Sequence, residues 1–265
     1  MDTEKYTGDR NLFAEERRRR ILDMLSSDSR VLVSDLSERF GVSAATLRND
    51  LRDLEGAGLL RRTHGGAVSI ETKAVELSAD IAQAENSNAK SAIGRAAAAR
   101  IEEGDVIFCD SGSTTVEMVR ALPALQDLTI ITNDATIVFE AEQRLPSCRI
   151  IALGGIVRNG FHYTMGAATV DQVSRLSATK AFVASSAFSF DRGFSTHTVD
   201  LSLFKRKLIE RSHEAYVLMD ASKFGTFATS TFAALDEVDA LITDSGIDGK
   251  VRALIDESGT ELVVA

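Results

Sequence analysis

The 265-residue chain has no tryptophan, two cysteines, two prolines and only 6% aromatic residues. Cys109 and Cys148 lie beside apolar runs, without C-x-x-C or Cys/His spacing, which excludes a disulfide scaffold and a zinc module. They read as core thiols, a redox role being the less favoured alternative. Scarce proline with 44% hydrophobic residues excludes a largely disordered chain. No run of about 18 apolar residues is present, and the charged N-terminus is unlike a secretion signal. A cytosolic protein with no membrane partner is therefore expected, and no metal or cofactor site. The length suits two domains, one of about 60 residues and one of about 190, each able to bury a core.

The formal charge of −9 is unevenly spread. Residues 1–68 hold 12 basic and 12 acidic side chains, so the acidity belongs wholly to the remainder, with 18 against 27. A neutral N-terminal part with local basic clusters keeps a positive contact face available, while an acidic body behind it weakens indiscriminate attraction to polyanions.

In that N-terminal part, Ile21, Leu22 and Leu25 form one apolar face, and Val33, Leu36 and Phe40 a second on a shorter segment. Gly41 stands where a left-handed residue ends a helix, and Ser43 where the next needs its N-cap oxygen. Leu47, Leu51 and Leu54 then repeat at helical spacing, which leaves Ala45, Thr46, Arg48, Asn49 and Arg52 pointing outward. Such a face suits a DNA major groove: arginine and asparagine read base edges, while Ser43 and Thr46 near the helix start hold a phosphate. Leu59 to Val68 adds Arg61, Arg62, His64 and a Gly-Gly turn, fit for a hairpin wing on the DNA backbone. Arg17 opens a basic run at 17–20, either a further DNA contact or a solvated helix start. Residues 12–68 thus read as a winged helix-turn-helix contacting operator DNA; a packed three-helix module with a solvated face is the alternative.

Residues 69–89 are polar and mixed, and read as a linker running into a helix. From 90 to 265 an alanine-rich helix at 90–101 precedes strands expected at 106–109, 129–132, 149–153, 181–184, 215–219, 240–243 and 261–264. Helices are expected between them, at 115–122, 135–144 and 201–211 among others. Short apolar strands joined by helices argue for an α/β domain with a mostly parallel sheet covered on both faces, whose ligands bind beyond the carboxyl ends of the strands. After the first strand comes Asp110-Ser111-Gly112-Ser113-Thr114-Thr115, a loop of small and hydroxyl residues opening a helix, suited to an anion. It lacks the ending of a nucleotide P-loop, and an ordinary Ser/Thr-capped helix is the alternative. Thr132-Asn133 and Gly154-Gly155 with Arg158 follow at the next two strand ends. Lys205-Arg206 lie on a helix, and Lys223 after the fifth strand could meet an anionic or carbonyl oxygen, or simply pair with Asp220.

These residues carry a resemblance. Gly41-Val42-Ser43-Ala44-Ala45-Thr46-Leu47-Arg48-Asn49-Asp50-Leu51, with Leu54-Glu55 and Arg62-Thr63-His64-Gly65-Gly66-Ala67, resembles the signature of the DeoR family of bacterial transcriptional regulators. Asp110-x-Gly112-Ser113-Thr114-Thr115, Thr132-Asn133, Gly154-Gly155 with Arg158, and Asp220-x-Ser222-Lys223-Phe224-Gly225 resemble that family's effector domain. The resemblance implies a Rossmann-like α/β sheet related to ribose-phosphate isomerases, sensing a phosphorylated sugar or related metabolite that releases operator DNA. It implies a repressor of a carbohydrate catabolic operon. Symmetric half-sites call for a homo-oligomer, a dimer or a tetramer. Two departures stand out. Arg48-Asn49 replaces the usual arginine pair, and Ala184-Ser185-Ser186-Ala187-Phe188-Ser189 replaces Gly-Ala-Ser-Gly-Ile-Asp, so Phe188 and Phe190 are expected to add bulk beside the pocket. The rival reading is a sugar-phosphate isomerase or deaminase with an added DNA module. It is disfavoured because Ser189 stands where an acid is wanted and His162, His197 and His213 are scattered. His162 and His197 remain candidates for ligand contact.

Overall fold

The structure, a computed structural model, describes residues 12–28, 30–56, 60–63, 65–69, 72–73 and 76–265. The chain divides into two compact units, Met1–Glu71 and Thr72–Ala265.

The first unit holds α1 (Ala14–Asp28), β1 (Arg30–Leu32), α2 (Val33–Phe40), α3 (Ala44–Gly56), β2 (Leu60–Thr63) and β3 (Gly66–Ser69). The apolar spacing builds its core: Ile21, Leu36, Phe40, Leu47 and Leu51 are all at most 1% exposed. Gly41 ends α2 at φ 66°, its N–H bonded to the Ser37 carbonyl at 3.0 Å, a left-handed turn that disfavours any side chain. Ser43 Oγ accepts the Thr46 N–H at 3.2 Å, satisfying one of the free donors at the start of α3. β2 and β3 form the wing hairpin, and β1 adds an antiparallel third strand.

The second unit begins with β4 (Thr72–Lys73), α4 (Ala79–Ala84), α5 (Ser87–Ala98), β5 (Val106–Cys109), α6 (Ser113–Ala121), β6 (Thr129–Thr132), α7 (Ala135–Arg144) and β7 (Arg149–Ala152). There follow β8 (Ile156–Arg158), β9 (Tyr163–Met165), α8 (Ala167–Ser174), β10 (Ala178–Ala184), β11 (Ala187–Ser189), β12 (Gly193–Thr196), α9 (Val199–Glu210) and β13 (Ser212–Leu218). It closes with β14 (Thr226–Phe227), β15 (Ser230–Ala233), β16 (Ala240–Thr243), α10 (Gly249–Ser258) and β17 (Glu261–Val264). Seven strands form one sheet in the order β17-β16-β13-β10-β5-β6-β7, every neighbouring pair parallel. Alternate residues serve opposite faces: Phe108, Ile131, Val183 and Val217 join one core, Ile107, Ile130, Phe182 and Leu218 the other. Burial on both faces is why these strands read as unbroken apolar runs.

The order reverses at β5. The chain lays β6 and β7 on one side of it and returns to place β10, β13, β16 and β17 on the other. The connections leave the ends of β5 and β10 in opposite directions, which opens a crevice there. Two small features were not expected from the sequence: the antiparallel hairpin β8–β9 and the three-stranded sheet β11-β12-β15. Their strands are three or four residues long, too short for a periodic signal. Within the segment read as a linker, β4 pairs with β14 and α4 and the start of α5 are helical. Helix α4 has no buried residue, so it shows no apolar period.

Candidate functional site

In the first unit α3 presents Ser43, Ala45, Arg48, Asn49 and Arg52 as exposed residues, with Thr46 half-buried beside them. Leu47, Asp50, Leu51 and Leu54 turn inward and fix which face is free. Arg62 is exposed on the wing, its backbone N–H held by Glu55 Oε1 at 2.9 Å. The inward Asp50 accepts Arg17 Nε at 2.6 Å and Arg18 Nε at 3.1 Å, and Arg17 Nη1 also donates to the Leu12 carbonyl at 3.0 Å.

In the second unit a cavity of about 370 Å³ opens at the carboxyl ends of β5, β6, β10 and β13. Its wall contains Ser111, Gly112, Ser113 and Thr114 at the start of α6, Asp134 and Thr136 at the start of α7, and Ala184, Ser185 and Ser186 after β10. Phe161, His162 and Tyr163 close one side, His197 another, and residues of the segment 76–85 a third. Gly112 precedes α6 with no side-chain cap, so the first N–H groups of that helix stay available to an anion.

Three lysines reach this space. Lys205, 3% exposed, donates to the Asp110 carboxylate and, at 2.9 Å, to the Ala184 carbonyl. Lys90, 5% exposed, donates to the Ala82 carbonyl at 2.5 Å, and burial holds its ammonium below the ordinary value. The Lys223 side chain has no hydrogen-bond partner among the described residues and lines the wall. Burial pushes the Asp110 carboxyl up, the Lys205 ammonium pulling the other way. Burial likewise pushes Asp134 up to about 6, although the N–H groups of Ile137, Thr136 and Gly112 favour its charged form. Burial lowers the His197 imidazole from its ordinary value, with Glu76 pulling the other way. Glu76 is held below the usual carboxylate range by Arg158, which grips it bidentately at 2.5 and 2.7 Å and lies over the Phe161 ring at 3.9 Å.

Both units match known families. Residues 17–73 match the DeoR-like helix-turn-helix domain, and residues 85–245 the DeoR C-terminal sensor domain. The chain belongs to the DeoR family. Among its relatives is the HTH-type transcriptional regulator GlpR of Haloferax volcanii, 31% identical over 94% of this chain and 96% of that one. Another is the transcriptional repressor AccR of Agrobacterium fabrum, 32% identical over 95% and 97%. Among solved structures, ribose 5-phosphate isomerase A of Methanocaldococcus jannaschii aligns with 53% of this chain and 55% of its own at 16% identity and a TM-score of 0.37. Of the two readings weighed from the sequence, regulator and enzyme, the family decides for the regulator of transcription.

Within this DeoR-family chain the structure sorts the expected residues. Ser111, Gly112, Ser113, Thr114 and Lys223 line the cavity. Asp110 and Thr115 stand behind it: Thr115 Oγ1 donates at 2.7 Å to the carbonyls of Asp110 and of Gly112, bracing the loop. Thr132 Oγ1 accepts the Asp134 N–H and Asn133 donates to the Thr164 carbonyl of the hairpin at 2.9 Å, and neither residue is part of the cavity wall. Neither Gly154 nor Gly155 lines the cavity: the Gly154 backbone bonds the Gln172 and Thr169 side chains, and Gly155 is required by close packing. A Cβ on Gly155 would stand 2.2 Å from Thr169 Oγ1 and 2.9 Å from the Met165 carbonyl, at a φ of 158°. Arg158 is spent on Glu76 and leaves the wall to Phe161 and Tyr163. Arg17, expected as a DNA contact or a solvated helix start, is instead paired with Asp50 and 6% exposed. His64 lies outside the described residues. Phe188 and Phe190 leave the cavity alone; Phe188, 1% exposed, packs against Phe190, Phe194 and Phe224.

Lys90 went unassigned by sequence reasoning, while Lys205 was noted only within a basic pair on a helix and Asp134 only as the last residue of the Thr132-Asn133-Asp134 strand end. A lysine on a helix reads as solvated, and Asp134 reads as a helix cap, which it also is, since it accepts the Thr136 N–H at 2.7 Å. The regular spacing of strand ends is the signal that marks Asp134 with its neighbours, and the structure puts Asp134 itself in the wall.

Proposed function

We propose that the protein represses a carbohydrate catabolic operon and leaves its operator when a phosphorylated sugar, polyol or related metabolite enters the cavity of the second unit. The observation that carries this reading is the convergence of an uncapped helix start, Ser113 and Thr114, and three lysines on one cavity at the point where strand order reverses. A phosphate placed there meets N–H donors, hydroxyls and cations together, while Asp134, His162 and His197 offer partners to sugar hydroxyls. Arg48, Asn49 and Arg52 read base edges from α3, with Ser43, Ala45 and Thr46 close to the groove and Arg62 with His64 on the DNA backbone. Two half-sites are read by a dimer or a larger homo-oligomer.

The coupling runs through the segment that leads back to residue 71. Its strand β4 pairs with β14, three residues beyond Lys223, and its Glu76 is clamped by Arg158 at the cavity. A ligand that binds the two arrangements of this segment with different affinity shifts the DNA-binding equilibrium. The test is binding of the purified protein to a DNA fragment from upstream of its own or a neighbouring operon, titrated with phosphorylated sugars and polyols. Specific binding released by one compound supports the reading. Specific binding untouched by every compound refutes the sugar-phosphate part, and absence of specific binding refutes the recognition face.

A further inference from the structure

The anion-binding wall of the cavity already contains a buried negative group. Asp134 follows β6, caps α7 by accepting the N–H groups of Thr136 at 2.7 Å and Ile137 at 3.2 Å, and is 4% exposed. The Gly112 N–H at the start of α6 is also directed at its carboxylate. The carboxylate therefore lies between two helix starts, on the same wall as Ser113 and Thr114.

We infer that Asp134 couples ligand to proton: the cavity takes up its anion together with one proton, which the Asp134 carboxyl receives. This rests on the reading of the cavity as an anion site. Two negative charges sharing a poorly solvated wall each disfavour the other, and the cheaper relief is protonation of the carboxylate. Among the described residues no cation is bonded to Asp134. The neighbouring Asp110 is engaged by Lys205, and Arg120 of α6 by Glu117 and Glu140. Cys109 and Tyr163 are both pushed up by burial, which keeps them neutral. His162 and His197 also lie on the wall. Once protonated, Asp134 has an O–H to donate to the anion or to a sugar oxygen, so the residue that repels a bare dianion becomes one that holds it. The site consequently favours acid conditions, and its affinity near neutrality is a readout of proton availability as well as of ligand.

The test uses sulfate, which stays a dianion across the range, titrated calorimetrically into the full-length protein and into Asp134→Asn. Asparagine is an equally good N-cap, so the start of α7 is kept, and thermal melting checks it. Because the carboxyl titrates at about 6, sulfate should bind the parent roughly 20-fold more tightly at about pH 5.5 than at about pH 7.5. Titrations in two buffers of different ionisation enthalpy should report uptake of about one proton at the higher pH. The asparagine variant should bind at the higher pH about as tightly as the parent does at the lower, with most of the parent's pH dependence gone. An affinity in the parent that follows the variant's pH profile with no proton uptake overturns the inference, as does weaker binding by a folded Asp134→Asn. Failure of both proteins to bind sulfate at either pH removes the anion site itself and this inference with it, an outcome distinct from pH-independent binding.

Discussion

The buried pair Lys205–Asp110 offers a direct measure of how much the cavity floor contributes to stability. The two side chains are 4% and 0% exposed, and Asp110 Oδ1 has no hydrogen-bond partner among the described residues, so the lysine, with help from the Ala184 and Ser111 N–H groups, compensates the carboxylate. Lys205→Met keeps the bulk and removes the charge. A buried ion left unpaired costs about 3–5 kcal/mol, and for a unit of this size each kcal/mol moves the melting temperature about 2–4 °C. Thermal and urea unfolding followed by circular dichroism should therefore show the main transition lowered by roughly 6–20 °C. Asp110→Asn combined with Lys205→Met should recover more than half of the loss, because the double variant buries no charge. The single variant also has a pH signature. Without Lys205, only backbone N–H groups oppose burial at Asp110, so its folded pKa rises further above the unfolded value of 3.8. A raised carboxyl binds protons in the folded state first, so the deficit shrinks as pH falls and is largest at neutrality. A loss below about 1 kcal/mol, or a deficit that does not change between about pH 7 and about pH 5, would refute the claim that the lysine is there to hold a buried charge.

Arg48→Ala should weaken operator binding about 10-fold or more and relax preference at one base position, whereas Arg62→Ala should weaken all sequences alike and reduce the salt slope by about one unit; fluorescence anisotropy over a salt series separates them. Thr114→Val should leave operator affinity unchanged and raise the inducer concentration needed for release, while Thr115→Val should lower the melting temperature, because its hydroxyl braces the loop. Gly155→Ala should destabilise the second unit by at least about 1 kcal/mol, read as a shift of its melting temperature, since a Cβ there meets Thr169 and a backbone carbonyl. An unchanged melting temperature would show that α8 yields to the methyl group. Folding raises Asp134 from 3.8 to about 6, so this group's contribution to stability falls as pH rises through that window and is level above it. The stability of Asp134→Asn relative to the parent should accordingly rise by about 2 kcal/mol from about pH 4 to about pH 7, measured by urea unfolding.

Local signals carried far in this chain. The strands at 106–109, 129–132, 240–243 and 261–264 and the helix at 135–144 lie where apolar runs and turn residues put them. Gly41 and Ser43 mark the turn between α2 and α3, because a left-handed residue and an N-cap oxygen are requirements of one or two residues alone. The outward face of α3 follows from the leucine spacing for the same reason. The loop at 111–114 was legible because small and hydroxyl residues ahead of a helix have few other uses.

What the sequence could not decide is which partner each polar side chain takes, since that depends on residues far away in the chain. Arg17 looks like any exposed arginine until Asp50, 33 residues on, comes to face it. Arg158 looks like a ligand cation until Glu76 claims it from 82 residues away, and Gly155 like a ligand cradle until Thr169 fills the space above it. Lys205 reaches Asp110 across 95 residues only because β10 returns to lie beside β5. Backbone conformation and face are set by neighbours in sequence, and these the chain itself determined. Burial and pairing of charge are set by neighbours in space, and only the folded sheet, with its reversal between β5 and β10, decided them.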